Sequence, residues 1–371
     1  MYYIGLMSGT SMDAVDAALV EFRRGRVVSL RYRQYPIVQR LRNEVRRLDG
    51  DSPLHEVAEL DARLGRLFAQ AVKAILRSAR IDSRHVRAIG SHGQTILHRP
   101  DAAHPQSLQI GDPNVIARET GISTVADFRR MDLAAGGQGA PLAPAFHAAQ
   151  FRLPSKYRCV LNIGGIANLT ILPPVRSRQP VRGFDTGPGN GLMDDWSRTH
   201  LHSEFDRDGR WAARGRVDAG ILTAMLRDGY FRRKPPKSTG RDHFNPDWLK
   251  RILRHGKRIP AADVQATLLE LTATSIARSL RREAPRCTEL LVCGGGLHNL
   301  RLMDRLRAQL EGIAIRSTGD FGVDPDSVEA VTFAWLAKKR LDGAPGNLPS
   351  VTGARSPVLL GAVYEPAEPR K

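Results

Sequence analysis

The stretch Phe184-Asp185-Thr186-Gly187-Pro188-Gly189-Asn190 sets one carboxylate among residues that favour sharp backbone geometry. A carboxylate at the mouth of such a turn can take a proton from a bound nucleophile. The pattern predicts a strand ending over Val181 to Phe184, a turn opening at Asp185, and a helix from Gly191 with Asn190 as its N-cap. Backbone N–H groups at a helix start attract phosphate, and Gly187 and Gly189 let a ligand approach the main chain. A surface turn whose aspartate only bonds its own backbone would read the same way locally. The companion motifs decide between these readings.

Phosphoryl transfer needs a cradle for phosphates, a divalent ion, an in-line nucleophile and a base. Ser8-Gly9-Thr10-Ser11 offers small hydroxyls and N–H groups, and Asp13 and Asp16 lie close enough to hold the waters of Mg2+. Gly164-Gly165, with Asn168 nearby, supplies a second phosphate-contacting turn. Gly294-Gly295-Gly296 follows an apolar strand pattern and precedes a helix, as a nucleotide-contacting turn in an open sheet does. Neither GxGxxG nor GxxxxGK[ST] occurs, which disfavours a Rossmann dehydrogenase or a P-loop enzyme.

Several elements must position these residues. Residues 2–6, 14–22 and 27–37 read as an antiparallel meander, and 41–48 and 54–76 as helices, the second with Leu60, Leu64, Phe68 and Ile75 on one face. Strands follow near 86–92 and 108–111, a helix over 113–119, and a strand at 123–126. The glycine-rich segment 127–144 marks a change of composition, so the first lobe is expected at 1–126, with a C-terminal return over 343–371, and the second at 127–342. The second lobe repeats the opening plan: strand 157–163, a Gly164-Gly165 turn, strand 167–172. Helices are predicted near 189–199, 214–228, 246–254, 261–282, 300–310 and 327–341, with strands at 290–293, 313–316 and 358–360.

The 371 residues are enough for two domains, and 42% hydrophobic content suits a globular protein. No apolar run is long enough to span a bilayer, and the amino terminus has no leader pattern, so a cytoplasmic location without membrane partners is expected. Cys159, Cys287 and Cys293 are scattered and form no CxxC pair, which excludes a disulfide framework and an evident zinc site. The net charge of +18 raises a nucleic-acid-binding reading, but the arginines are spread along the chain and no helix-turn-helix or zinc pattern accompanies them. A basic chain also suits anionic small ligands. The connector Lys234-Pro235-Pro236-Lys237-Ser238-Thr239-Gly240-Arg241 reads either as a loop near the ligands or as a solvated linker.

Taken together, the glycine turns in two halves resemble the actin-like ATPase superfamily of sugar kinases, chaperone ATPases and actin. More narrowly, residues 5–16 (GLMSGTSMDAVD), 90–95 (GSHGQT), 127–132 (DFRRMD), 162–168 (NIGGIAN) and 328–336 (VEAVTFAWL) resemble the anhydro-N-acetylmuramic acid kinases, in that family's order along nearly the whole chain. The resemblance implies an α/β, two-domain actin-like fold with duplicated sheet and helix cores and an interdomain cleft. It also implies a cytosolic enzyme that takes ATP, Mg2+, water and an anhydro amino sugar to N-acetylmuramic acid 6-phosphate in peptidoglycan recycling. A homodimer is compatible with this reading.

Carried over by motif, Gly9, Thr10, Ser11, Met12, Asp13, Ala14, Val15 and Asp16 bind ATP, joined by Gly164, Gly165, Gly187, Gly189, Asn190, Gly294, Gly295 and Gly296. Asp185 is the base. Since O6 is locked in an ether bridge and carries no proton, Asp185 is expected to activate water, and to be kept ionised by hydrogen bonds rather than neutralised by burial. Met7 stands where many actin-like kinases carry an aspartate, which shifts magnesium binding towards Asp13 or Asp16. His92, Gln94, Thr95, Arg129, Asp132 and Glu329 are expected at the sugar, Arg129 or Arg130 being suited to its lactyl carboxylate. His92 reads equally as a structural histidine and Glu329 as a helix-surface acid. An actin-like ATPase without sugar transfer is the competing function.

Overall fold

The apolar amino-terminal runs pair as strands; the first two bury most of their residues, and the third covers their edge half-exposed. A computed structural model describes residues 1–9, 12–254 and 259–366. Strands β1 (Tyr2–Met7), β2 (Ala14–Arg23) and β3 (Arg26–Pro36) form the antiparallel meander, and β4 (Val86–Ser91) joins β1 in parallel. β5 (Gln94–Arg99) and β6 (Gln106–Ile110) make a separate hairpin. β7 (Thr124–Ala126) pairs parallel to β4, and the last strand of the chain, β13 (Ala362–Tyr364), pairs antiparallel to β7. The sheet order is β13-β7-β4-β1-β2-β3.

The second sheet contains β8 (Arg158–Ile163), β9 (Ile166–Leu172), β10 (Arg182–Pro188), β11 (Glu289–Cys293) and β12 (Ala314–Ser317), in the order β10-β9-β8-β11-β12. Its first three strands are an antiparallel meander and β11 and β12 run parallel to β8, so it repeats the order and directions of β3-β2-β1-β4-β7. The duplicated α/β plan expected from the sequence is thus observed.

The chain divides into two compact units, Met1–Gln150 with Gly322–Lys371, and Phe151–Phe321. Both boundaries differ from the expected 126/127 and 342/343. The helix Val328–Leu341 packs on β1 and β4 of the first unit, at a distance that only glycine permits: a Cβ on Gly5 would lie 1.7 Å from the Ala330 carbonyl oxygen. The segment after Ala126 is not an open loop either. It carries the helix Arg130–Ala134, and Asp132 ties it to Asn347 and Thr352.

Leu60, Leu64, Phe68 and Ile75 on the helix Leu54–Ala79 lie in the first unit's core, as their spacing predicts. In the second unit the helix Ala261–Glu283 is buried along most of its length, and packs on β9 and β10. The helix expected over 214–228 is shorter, Ala219–Leu226, with Asp218 accepting a hydrogen bond from Ile221 N as its cap. The strand expected at 358–360 lies at β13 instead.

Candidate active site

Asp185 does not open a turn. It sits within β10, which continues to Pro188; a register shift between Asp185 and Gly187 leaves Thr186 as the extra residue of a bulge. Glycine and proline suggested a turn, but β10 is an edge strand, where a residue without an N–H is tolerated. Bulges of this kind re-aim side chains beside functional sites. The bulge is pinned by the Thr186 hydroxyl, which donates to the Ala167 carbonyl at 3.1 Å.

The basic connector covers this edge. Asp185 N–H donates to the Lys237 carbonyl at 3.1 Å, and Thr239 N–H donates to Asp185 Oδ2 at 2.9 Å. The Tyr230 hydroxyl donates to the Asp185 carbonyl at 2.7 Å. The ammonium of buried Lys237 lies 4.4 Å from the centre of the Tyr230 ring. Burial pushes the Asp185 carboxyl up to about 6, opposed by the Thr239 hydrogen bond and then by the Lys237 charge. Burial, not hydrogen bonding, therefore dominates, contrary to expectation, yet the group remains mostly ionised at neutral pH. Burial also lowers Lys237, to about 8, so it is a cation at neutral pH.

Three N–H groups at the entry to the following helix are taken by the protein itself. Those of Gly189 and Gly191 donate to the Gly165 carbonyl and that of Asn190 to the Gly164 carbonyl, at 3.0, 3.1 and 2.8 Å. The carbonyls of the β8–β9 turn thus cap the helix Gly191–Leu201. Asn190 precedes that helix but makes no side-chain cap; its Nδ2 donates to the Ile163 carbonyl at 3.4 Å. Gly187 and Gly189 shape the bulge and its exit rather than presenting donors. A Cβ on Gly164 or Gly165 would make only ordinary van der Waals contact, at 3.7 Å to the Ile166 carbonyl oxygen and 4.0 Å to Gly191 Cα.

Gly294 adopts a left-handed φ of 81°, and Gly296 packs on Ile163. The exposed Gly295 lines a cavity of about 590 Å³ together with Asn190, Asp194, Phe205, Arg207 and His298. Burial pushes the Asp194 carboxyl up to about 7, with Arg198 opposing. Sequence reasoning missed Asp194 as a cavity residue, and its i,i+4 offset from Asn190 along the helix was the available signal.

In the first unit several of the motif's described residues are engaged within the protein, while Gly9 has open space beside it. Thr10 and Ser11 lie outside the described residues. Met12 and Val15 are core residues, so their side chains are unavailable to nucleotide; Gly9 and Ala14 flank them. Asp13 is held by Arg42 at 2.7 Å. Asp16 Oδ1 accepts hydrogen bonds from the Tyr32 hydroxyl at 2.5 Å and Gln34 Nε2 at 3.1 Å, and its carboxyl is raised by burial. The buried, doubly hydrogen-bonded Asp16 is thus poorly suited to direct ligation of Mg2+, while Asp13 is exposed with one oxygen on Arg42. Among the described residues no group of three or more His, Cys, Asp or Glu is arranged to hold a metal.

Half-buried Arg129 and buried His92 form one device. His92 Nδ1 lies 2.9 Å from the Gly93 carbonyl, which fixes the proton there and leaves Nε2 to accept from Arg129 Nε and Nη2 at 3.1 and 2.9 Å. Burial and then the Arg129 charge hold His92 well below its ordinary value, so it stays neutral. Burial lowers Arg129 to about 10 against the opposing charge of exposed Glu329, so it remains a cation. Gln94 is buried, and half-buried Thr95 accepts a hydrogen bond from Gln109 Nε2 at 3.2 Å.

Asp132 departs from expectation. It is wholly buried, and accepts hydrogen bonds from Gly139 N–H, Asn347 Nδ2 and the Thr352 hydroxyl at 2.8, 2.7 and 2.8 Å. Its carboxylate holds the glycine-rich loop and has no face left for a sugar.

Residues 1–366 match the model of the family described as anhydro-N-acetylmuramic acid kinase. The chain belongs to this family. Its members are phosphotransferases. The anhydro-N-acetylmuramic acid kinase of Coxiella burnetii is 50% identical over 363 residues, covering 98% of this chain and 97% of that protein. That of Xanthomonas axonopodis pv. citri is 50% identical over 370 residues, with the same coverage. Among solved structures, the activator of 2-hydroxyisocaproyl-CoA dehydratase from Clostridium difficile, with bound ADPNP, is similar at a TM-score of 0.46 and 11% identity, over 92% of this chain and 96% of that one. Beyond the residues the family motifs mark, the structure adds Tyr230, Lys237 and Thr239, all in direct contact with or charged against Asp185. Lys237 and Thr239 lie in the connector that the sequence allowed as a loop near the ligands, whereas Tyr230, upstream of it, carried no signal. Among the described residues no helix is long and apolar enough to cross a membrane.

Proposed function

We propose that the protein uses ATP and water to convert 1,6-anhydro-N-acetylmuramic acid into N-acetylmuramic acid 6-phosphate and ADP, in cytoplasmic recycling of cell-wall sugar. The observation that carries this reading is the state of Asp185: a carboxyl near 6, ionised at neutral pH, aimed by a bulge and braced on its backbone from both sides. A group of that proton affinity accepts a proton efficiently near pH 7.

Asp185 takes one proton from water while the water oxygen bonds to C1 and the C1–O6 bond breaks. The electron pair released on O6 attacks the γ-phosphorus, and the bond from that phosphorus to the bridging oxygen of ADP breaks. The second hydrogen stays on the water oxygen, which becomes the hydroxyl at C1. Gly164 and Gly165, having no side chains, suit close approach of phosphates, and the cavity by Gly295 and Asp194 has the volume and mixed polarity for a nucleoside. Gln94, Thr95, Glu329 and the Arg129–His92 pair suit the sugar, with Arg129 charged for its carboxylate. Magnesium would come as the companion of the triphosphate, with Asp13 or Asp16 the residues that would hold its waters, and would supply charge to offset the phosphates.

Incubation with ATP, magnesium and the anhydro-sugar is expected to give a phosphomonoester in step with ADP. Release of ADP that ignores the sugar, with no phosphosugar formed, would replace this reading with a plain ATPase.

A further inference from the structure

The second unit holds another cavity, of about 350 Å³, lined from the helices Ala219–Leu226, Ala261–Glu283 and Leu300–Gln309. It shares no lining residue with the cavity beside Gly295. Its apolar lining is Ala212, Ala266 and Leu269, which are buried, half-buried Leu222, and Val217, which is exposed at the rim. Gly215 lets the rim lie close on the long helix, since a Cβ there would stand 2.0 Å from the Ala262 carbonyl oxygen. The charged wall is Glu270, Arg301 and Arg305. Buried Glu270 accepts from Arg305 Nε and Nη2 at 2.8 and 2.9 Å and from Gln309 Nε2 at 2.9 Å, so both its oxygens are taken. Arg305 is engaged side-on, which leaves its Nη1 without a partner among the described residues. Arg301, one turn earlier on the same helix, has no ion pair or side-chain hydrogen bond among the described residues. Like charges at that spacing repel each other, and two guanidinium groups against one carboxylate leave the wall positive.

We propose that this cavity binds an amphipathic monocarboxylate, its apolar chain against Leu222, Ala266 and Leu269 and its carboxylate on Arg301 and Nη1 of Arg305. The anion supplies the charge that the wall lacks, and guanidinium N–H groups match carboxylate oxygens in pairs. A cation would find both oxygens of Glu270 already occupied. A small inorganic anion would leave the apolar lining to water, whereas an alkyl chain covers it. The size suits a small organic ligand, and a hollow between packed helices is a common place for one. Such a site stands whatever reaction Asp185 serves.

Octanoate serves as the probe, titrated by calorimetry into the full chain, with Arg301→Gln and Val217→Asp measured beside the unaltered protein. Both changed residues are exposed, so the melting temperatures of the variants should match that of the unaltered chain. The unaltered chain should bind octanoate saturably at a single class of site. Arg301→Gln removes a charged donor and should weaken binding about tenfold or more. Val217→Asp sets a carboxylate at the rim and should weaken it by a similar factor. Octanamide, which lacks the charge, and acetate, which lacks the chain, should each bind at least about tenfold more weakly than octanoate. Saturating ADP should leave octanoate bound. Absence of saturable octanoate binding by the unaltered chain overturns the proposal. So does undiminished affinity in Arg301→Gln, octanamide binding as tightly as octanoate, or displacement of octanoate by ADP.

Discussion

Replacing Lys237 by methionine deletes a charge beside the base while keeping a long apolar stem over the Tyr230 ring. Lys237 is the smaller of the two influences that pull the Asp185 carboxyl down, after the Thr239 hydrogen bond, and burial opposes both. Removing it should raise that carboxyl by about one unit, the low end of the ~1–3 units an adjacent opposite charge produces. From a start near 6, the acidic limb of kcat/KM should then centre near 7. At pH 6 the ionised fraction falls from about one half to about one tenth, so the rate drops about fivefold; at pH 8.5 both proteins are ionised and the rates converge. Arg233, Arg282, Glu283 and Tyr230 are the other titratable groups near the pair, and all are present in both proteins. Lys237→Arg retains the charge and should leave the limb in place. An unmoved limb in Lys237→Met, or one moved to lower pH, would refute the electrostatic link between connector and base.

Two further consequences concern stability. The Asp185 carboxyl is raised on folding, so its ionised form costs stability above about 6, and the cost is relieved as pH falls through that value towards 3.8. Asp185→Asn should therefore melt ~2–5 °C higher at pH 7.5, a gain that fades near pH 5; calorimetry showing a loss at pH 7.5 would contradict the burial account. Asp132→Ala leaves Gly139 N–H, Asn347 and Thr352 without their acceptor and should cost ~2–4 kcal/mol by denaturant titration, with the KM for the sugar changed less than about twofold. A tenfold rise in that KM with stability intact would return Asp132 to the sugar.

Much of the strand plan was legible because apolar runs and turn residues are local signals: β1 to β4 and β8, β9 and β11 fall close to their expected bounds. The duplication was legible from the repeated glycine turn, though the matching strand order needed the structure. Unit boundaries were misplaced because they depend on contacts distant in sequence. Gly5 beneath Ala330 and Asp132 bonded to Thr352 leave no local trace. At the site, Asp185 was found from its neighbours, but Gly187 and Pro188 suggested a turn where edge position allows a bulged strand. Met12, Val15 and Asp132 show the limit of motif reading: a motif marks residues that a site requires, including those that only pack or brace it.

If Asp185 turns water into the nucleophile at C1, an isotope experiment will show it. The reaction is run in heavy-oxygen water with ATP, magnesium and the anhydro-sugar, before the product anomers exchange, and label is located by mass spectrometry in the unaltered protein and in Asp185→Asn. One heavy oxygen should appear at C1 and none in the phosphate, and Asp185→Asn should still bind ATP while forming no product. Label in the phosphate, or normal turnover by Asp185→Asn, would contradict the account.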